Sequence, residues 1–310
     1  MRVANVLALC TAAVVLLAVP AIFFAQTPNV SIDPRAKADE TPRPDVRIDT
    51  NLVLIPVSVT DSLGRPVAGL ERENFRIRDN KEPQDIKTFS MDDGPVALGL
   101  VFDTSSSMKT TFNMARRAAA LFVGMANPGD QFLLVEFDDK PRMTVPLTSD
   151  LAHIRYELTF NRADGNTALI DGVYMAMHEI KKSPNERKAL IVVSDGGDNH
   201  SRYSSGELKT MMQESEVLIY TVGIGIDETP YLMKHIAEDS GGRLFMANNQ
   251  LPDIANKIGV DLRNRYVLGY VPTNQARDGL YHKVEVEVKP PRGFTNLKLH
   301  WRRGYYAPTQ

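Results

Sequence analysis

The sequence predicts an α/β protein: a doubly wound, mostly parallel sheet with helices on both faces, inserted in a small β-sandwich formed by both flanks. Three observations lead there. Apolar, strand-like runs alternate with segments of helical spacing from Pro95 to Asn264, the pattern of a parallel sheet. Segments of pure β texture stand on either side of that region. Polar clusters follow the ends of two of the apolar runs, where open α/β sheets carry their ligands.

The chain opens on Arg2 and an apolar stretch to Phe24, broken only by Asn5, Cys10, Thr11 and Pro20. A short basic start before an apolar core has the form of a secretory signal. Val19-Pro20-Ala21 suits cleavage after Ala21, yet the run is also nearly long enough, at roughly 20 residues, to span a bilayer uncleaved. Residues 1–25 are therefore a signal peptide or an anchor, and the protein is expected outside the cytoplasm, in the periplasm, on the envelope or secreted. Cys10 is the single cysteine, and bulky Leu9 before it does not suit a lipoprotein signal. The remainder is no disulfide scaffold and must rely on core burial. Residues 26–45, studded with Pro28, Pro34, Pro42 and Pro44, read as an extended linker.

Residues 46–93 form the first β-rich flank. Leu52-Val53-Leu54-Ile55-Pro56-Val57-Ser58-Val59 is rich in β-branched residues, Asp61-Ser62-Leu63-Gly64 signals a turn, and Phe75-Arg76-Ile77-Arg78 alternates like a half-buried strand. A further strand is expected at Asp85-Ile86-Lys87-Thr88-Phe89. From 94 to 264 the texture changes. Val96-Ala97-Leu98-Gly99-Leu100-Val101-Phe102 is continuously apolar, as expected of a strand buried on both faces. Phe112, Ala115, Ala119 and Phe122 then recur at helical spacing. Strands are expected at 132–137, 189–194, 217–224 and 244–247, with helices at 168–180, 205–215, 230–239 and 251–264. After Arg265, strands return at 266–271, 282–288 and 297–301. Neither flank alone has enough strands for a core, so the economical arrangement is one sandwich assembled from 46–93 and 265–307.

The chain carries 36 Lys and Arg against 38 Asp and Glu, a formal charge of −2, with both signs spread throughout. That balance argues against a nucleic-acid partner. A membrane is expected only through an uncleaved N-terminal anchor.

Three polar clusters are expected to converge on one edge of the parallel sheet. They are Asp103-Thr104-Ser105-Ser106-Ser107 after the first buried strand, Gly165-Asn166-Thr167 before a helix, and Asp195-Gly196-Gly197-Asp198-Asn199 after the strand ending at Ser194. Carboxylate and hydroxyl oxygens are hard ligands, suited to Mg²⁺ or Mn²⁺ and poor for zinc. Asp103-x-Ser105-x-Ser107, then Thr167, then Asp195, resemble in order and spacing the metal-ion-dependent adhesion site (MIDAS) of von Willebrand factor A domains. The resemblance covers roughly 95–264. It implies a Rossmann-like sheet and a bound Mg²⁺, with Mn²⁺ or Ca²⁺ as alternatives. Ser105 and Ser107 would bind the metal directly, and Thr167, Asp103 and Asp195 directly or through water. The sixth position would be left to the Asp or Glu carboxylate of a protein partner. The flanks extend the likeness: Val59-Thr60-Asp61-x-x-Gly64-Arg65-Pro66-Val67-x-Gly69-Leu70, Tyr266-x-Leu268-Gly269-Tyr270-x-Pro272 and Arg303-Gly304-Tyr305-Tyr306 are similar to exported von Willebrand factor A-related proteins of acidobacteria.

That reading makes the protein a metal-dependent binding or adhesion module and not an enzyme. Asp103 could instead be the nucleophile of a haloacid-dehalogenase-like phosphatase, but Ser105 stands where that chemistry wants a second carboxylate. No Gly-x-Ser-x-Gly elbow and no phosphate-cradling Gly-x-x-x-x-Gly-Lys loop occurs. A structural scaffold whose metal only stabilises loops is the remaining alternative. Asp198 and Asn199 fit a turn or a supporting shell; Asp164 and His200 fit a solvated rim; Trp301, Tyr266, Tyr270, Tyr305 and Tyr306 fit the sandwich.

Overall fold

The computed structural model describes residues 52–309 except 93, 161, 227, 248–250, 292 and 295. The signal or anchor at 1–25, the linker at 26–45 and the start of the first flank lie outside the described residues. Among the described residues no helix is long and apolar enough to cross a membrane.

The described chain begins with β1 (Val53–Thr60), β2 (Phe75–Asp79), the short β3 (Glu82–Gln84) and β4 (Ile86–Asp92). In β2, Phe75, Ile77 and Asp79 are buried while Arg76 and Arg78 are exposed, the two-residue period of a strand with one wet face. β5 (Val96–Asp103) is instead buried at every position. There follow α1 (Phe112–Val123), β6 (Gln131–Phe137), β7 (Pro141–Thr148), α2 (Leu151–Phe160) and α3 (Leu169–Ile180). β8 (Arg187–Ser194), α4 (Ser205–Gln213), β9 (Leu218–Ile224), α5 (Tyr231–Ser240), β10 (Leu244–Ala247) and α6 (Leu251–Arg263) complete the alternating region. The chain then returns to strands: β11 (Arg265–Tyr270), β12 (Tyr281–Val288), β13 (Lys298–Trp301) and β14 (Gly304–Tyr306).

Six strands form one sheet in the order β10-β9-β8-β5-β6-β7, parallel except for the antiparallel edge strand β7. The chain winds outward from β5 to β7, then restarts at β8 on the other side of β5. The switch point between β5 and β8 is where loops diverge and leave a crevice. Two apolar layers sandwich the sheet. On one face Leu98, Leu100 and Phe102 pack with Phe112 and Phe122 of α1, Ile154 of α2 and Ile258 of α6. On the other, Ala97 and Val101 pack with Val173 and Met177 of α3, Leu208 of α4 and Ile236 of α5.

The flanking strands form two four-stranded sheets, β13-β1-β11-β4 and β14-β12-β2-β3, and each draws on both ends of the chain. Ile55, Val57, Tyr266, Leu268 and Tyr270 of the first sheet pack against Phe75, Ile77, Val284, Val286 and Tyr305 of the second. The sandwich therefore closes only because 53–92 and 265–306 meet, as the texture of the flanks predicts. Tyr266 and Tyr270 are buried core, and Trp301 Nε1 donates across the sheets to the Val284 carbonyl at 3.0 Å.

Beside the three-residue strands β3 and β14, two longer elements were not expected from the sequence, β7 and α2. β7 holds two prolines and buries only Val145, because an antiparallel edge strand needs little apolar surface. α2 buries Ile154 and Leu158, one stripe only one turn long, too little for a helical period to show.

Candidate metal centre

Asp103 closes β5 and is fully buried. The register pairs Phe102 with Val193, so the next residues, Asp103 and Ser194, are neighbours across the switch point. The Ser194 hydroxyl donates to Asp103 Oδ2 at 2.6 Å and the Ser105 amide to Oδ1 at 2.9 Å. Burial pushes the Asp103 carboxyl up to about 6; the hydrogen bonds from Ser105 and Ser194 resist this, and the negative charge of Asp195 adds to it. Among the described residues no cationic side chain pairs with Asp103.

The loop leaving β5 is pinned to β6: the amide and hydroxyl of Thr104 both donate to the Phe137 carbonyl, at 2.8 and 3.0 Å. A 3-10 turn, Ser106–Thr110, follows, anchored by the fully buried Met108. That turn brings the hydroxyls of Ser105 and Ser107 within 3.0 Å of each other.

The second loop is tied to the first, with the Asp164 amide donating to Thr104 O at 2.8 Å and the Ser106 amide to Gly165 O at 3.0 Å. Gly165 has φ +77°, and a β-carbon there would stand 3.2 Å from the Asp139 carboxylate. Asp139 Oδ1 accepts the amide and the side-chain NH₂ of Asn166. The third loop clamps the second. The Thr167 amide donates to Asn199 Oδ1 at 3.0 Å, and the Thr167 carbonyl accepts from the amides of Asn199 and His200. Asp171, buried in the first turn of α3, accepts from the amides of Arg202 and Tyr203 and holds the far end of this loop. Gly196 has φ +93°, and a β-carbon there would fall 2.5 Å from Pro230 Cβ, so only glycine lets the chain turn beside Asp195.

Of the five residues singled out from sequence, Asp103, Ser105 and Ser107 are directly joined. Thr167 is placed by the clamp of Asn199, and Asp195 by its sequence neighbour Ser194 and by its electrostatic effect on Asp103. No hydrogen bond joins the Thr167 hydroxyl or the Asp195 carboxylate to the other three among the described residues. The donor set is all oxygen, two carboxylates and three hydroxyls, and no group of three His, Cys, Asp or Glu gathers here or elsewhere among the described residues. An octahedral Mg²⁺ with ligand bonds near 2.1 Å holds adjacent ligands about 3.0 Å apart, which is the Ser105–Ser107 hydroxyl spacing. The buried, unpaired carboxylate of Asp103 is the counter-charge such an ion requires. The residues present fit a hard divalent cation.

Ser194, together with Asp139 and Asp171 that hold the supporting loops, was not singled out from the sequence. The only signal of Ser194 is a hydroxyl ending an otherwise apolar strand one residue before Asp195. Asn199, open there to a turn or a supporting role, takes the supporting one.

Comparison with known proteins agrees with this architecture. Residues 98–197 match the family model of the von Willebrand factor type A domain. The chain thus carries a von Willebrand factor type A domain. A von Willebrand factor type A protein from Catenulispora acidiphila is similar over 84% of this chain and 75% of its own, at 14% identity and a TM-score of 0.50. The von Willebrand factor domain of the type V pili tip protein Mfa5 from Porphyromonas gingivalis covers 56% of this chain and 98% of its own, at 17% identity and a TM-score of 0.46. Proximal thread matrix protein 1 from the mussel byssus, whose MIDAS motif holds zinc, covers 59% of this chain and 48% of its own, at 20% identity and a TM-score of 0.48. Comparison with curated proteins returned no match.

Proposed function

We propose that this domain binds a divalent cation, Mg²⁺ by preference, through Asp103, Ser105, Ser107, Thr167 and Asp195, and uses it outside the cytoplasm to hold a carboxylate of a protein partner. The observation that carries this is Asp103: a buried carboxylate without a cationic partner, next to the Ser105 and Ser107 hydroxyls, which are hydrogen-bonded to each other at 3.0 Å. Asp103 and Asp195 would offset the ion's charge, and the hydroxyls of Ser105, Ser107 and Thr167 would help to hold it. The bound ion supplies Lewis acidity that remains available to an incoming carboxylate. The protein's own part is to place the donors and hold the loops still.

The binding role is favoured over loop stabilisation because the three loops are already tied to each other by protein hydrogen bonds, at 2.8 Å (Asp164 to Thr104), 3.0 Å (Ser106 to Gly165) and 2.9 Å (Asn199 to Thr167). They do not need a metal to hold their shape. The reading is of a binding module and not of a phosphatase, because Ser105 stands where a haloacid-dehalogenase-like site wants its second carboxylate.

Calorimetric titration with Mg²⁺ on the wild type and on Asp195→Ala tests the site. The variant is expected to lose at least tenfold in affinity and keep its fold, since Asp195 belongs to a surface loop. Equal affinities would refute the ligand assignment. Pull-down from native envelope extract with Mg²⁺ and with chelator then separates the two roles. Partner capture is expected only with Mg²⁺; capture insensitive to chelator would make the ion structural.

A further inference from the structure

A second polar concentration lies far from the strand tips, where the first sandwich sheet meets the parallel-sheet domain. Along β1, Val57 and Val59 point into the sandwich, so Ser58 and Thr60 point the opposite way. Ser58 pairs with His300 of β13. On its other side Val57 pairs with Tyr266, which sets Arg265 beside Ser58 one step along. His300, Ser58 and Arg265 thus form a row across three strands. The row faces α6 and the connection between α5 and β10. There the Asp261 carboxylate accepts from the Ser58 and Tyr220 hydroxyls and from Arg265 Nη2. Arg265 Nη2 also reaches the Gly241 carbonyl at 3.1 Å.

A second guanidinium enters the same junction. Arg243 Nη2 stands 3.1 Å from where a β-carbon on Gly64 would be, over the turn that follows Thr60. Against the effect of burial, Arg265, the Ser58 and Tyr220 hydroxyls and, least, Arg243 hold the Asp261 carboxyl below its ordinary value; burial and Arg243 hold His300 at about 4, so it is neutral near pH 7. The junction therefore sets two guanidinium charges, Arg243 and Arg265, against one carboxylate.

Several buried polar atoms here have no partner: Arg243 Nη1, Arg265 Nε and Nη1, His300 Nε2 and Thr60 Oγ1. Thr60 is fully buried and the Arg265 side chain is 3% exposed. Unsatisfied buried donors are costly, charged ones most of all, and so many in one place point to a missing acceptor. Water would accept the hydrogen bonds but leave the extra positive charge uncompensated. An anion does both.

We propose that this junction binds a small monovalent anion of the halide class, accepting from Arg243 Nη1, the His300 Nε2–H, the Thr60 hydroxyl and the unpaired edge of Arg265. Such an ion ties β1, β11 and β13 of the sandwich to the segment leading into β10, and stabilises the union of the two parts of the molecule.

The test uses the full chain at constant ionic strength, with sodium bromide or chloride exchanged against sodium gluconate, a bulky organic anion. Thermal unfolding should show a saturable rise in Tm of about 3 °C with halide. Crystals grown in bromide should show an anomalous peak at Arg243 and His300. Arg243→Gln should abolish the halide-dependent part of Tm while leaving Mg²⁺ affinity unchanged, which keeps this result apart from the metal site. The bromide peak in the wild type decides the matter should the variant not fold. Tm values identical in halide and gluconate, or only water at that position, would overturn the proposal.

Discussion

At the scale of single residues, Asp103 sets the chemistry. Its carboxyl is held at about 6 in the folded protein against an ordinary value of 3.8. The folded state therefore binds more protons between those values, and its stability falls as pH rises through 6. Without metal, the ionised carboxylate costs about 2–3 kcal/mol above pH ~7. In chelator, Asp103→Asn is expected to melt at a higher temperature than the wild type at pH ~8 and at nearly the same temperature at pH ~4. The amide can still accept from the Ser105 amide and donate to the Ser194 hydroxyl. Saturating Mg²⁺ should reverse the order at high pH, because the cation turns a burial penalty into an attraction. Thermal melts at the two pH values, with and without Mg²⁺, check each step. A wild type that stays the more stable form at high pH in chelator would show that the burial of Asp103 carries no such cost.

At the scale of elements, the centre is a consequence of two parallel strands meeting at a switch point. β5 and β8 lie side by side, so residues almost a hundred positions apart share one edge. The loop of Thr167 is not set by a strand at all but by Asn199, which supplies both a donor and an acceptor to it. Asn199→Ala should lower Mg²⁺ affinity about tenfold, as supporting residues around metal ligands typically do, with Tm nearly unchanged. Calorimetry beside a thermal melt reads both. Unaltered Mg²⁺ affinity would mean that α3 alone positions Thr167. Legibility in the sequence follows burial. β5 is apolar up to its last residue, Asp103, because helices cover both its faces, and it reads unmistakably as a strand. β7, an edge strand with one fully buried residue, carries no such pattern. The five site residues stood out because their order and spacing resemble a known motif. Ser194 did not, because its role depends on a neighbour across the sheet.

At the scale of the whole molecule, the alternating region has its own two apolar layers, whereas the sandwich core needs both ends of the chain. A fragment of 94–264 is expected to fold alone, and a fragment of 46–93 to remain unfolded. Circular dichroism and thermal melts of the two fragments check this; cooperative unfolding of isolated 46–93 would contradict it. The 94–264 fragment should also be less stable than the same region in the full chain, since it loses Ser58 and Arg265 and leaves the buried Asp261 without its ion pair.

Most of the strands and helices, and the places where the texture changes, are written in the amino-acid pattern; β7 and α2 are the longer exceptions. The sequence also determined which oxygen-bearing side chains stand at strand ends. Those are local properties: burial imposes periodicity on neighbouring residues, and hard ligands are recognisable by type. That Ser194 orients Asp103, that Asn199 holds Thr167, and that Arg243, Arg265 and His300 meet at one junction follows from tertiary contacts alone. Each of these depends on strand register and on which face a side chain takes, and register is fixed by contacts between residues distant in the chain.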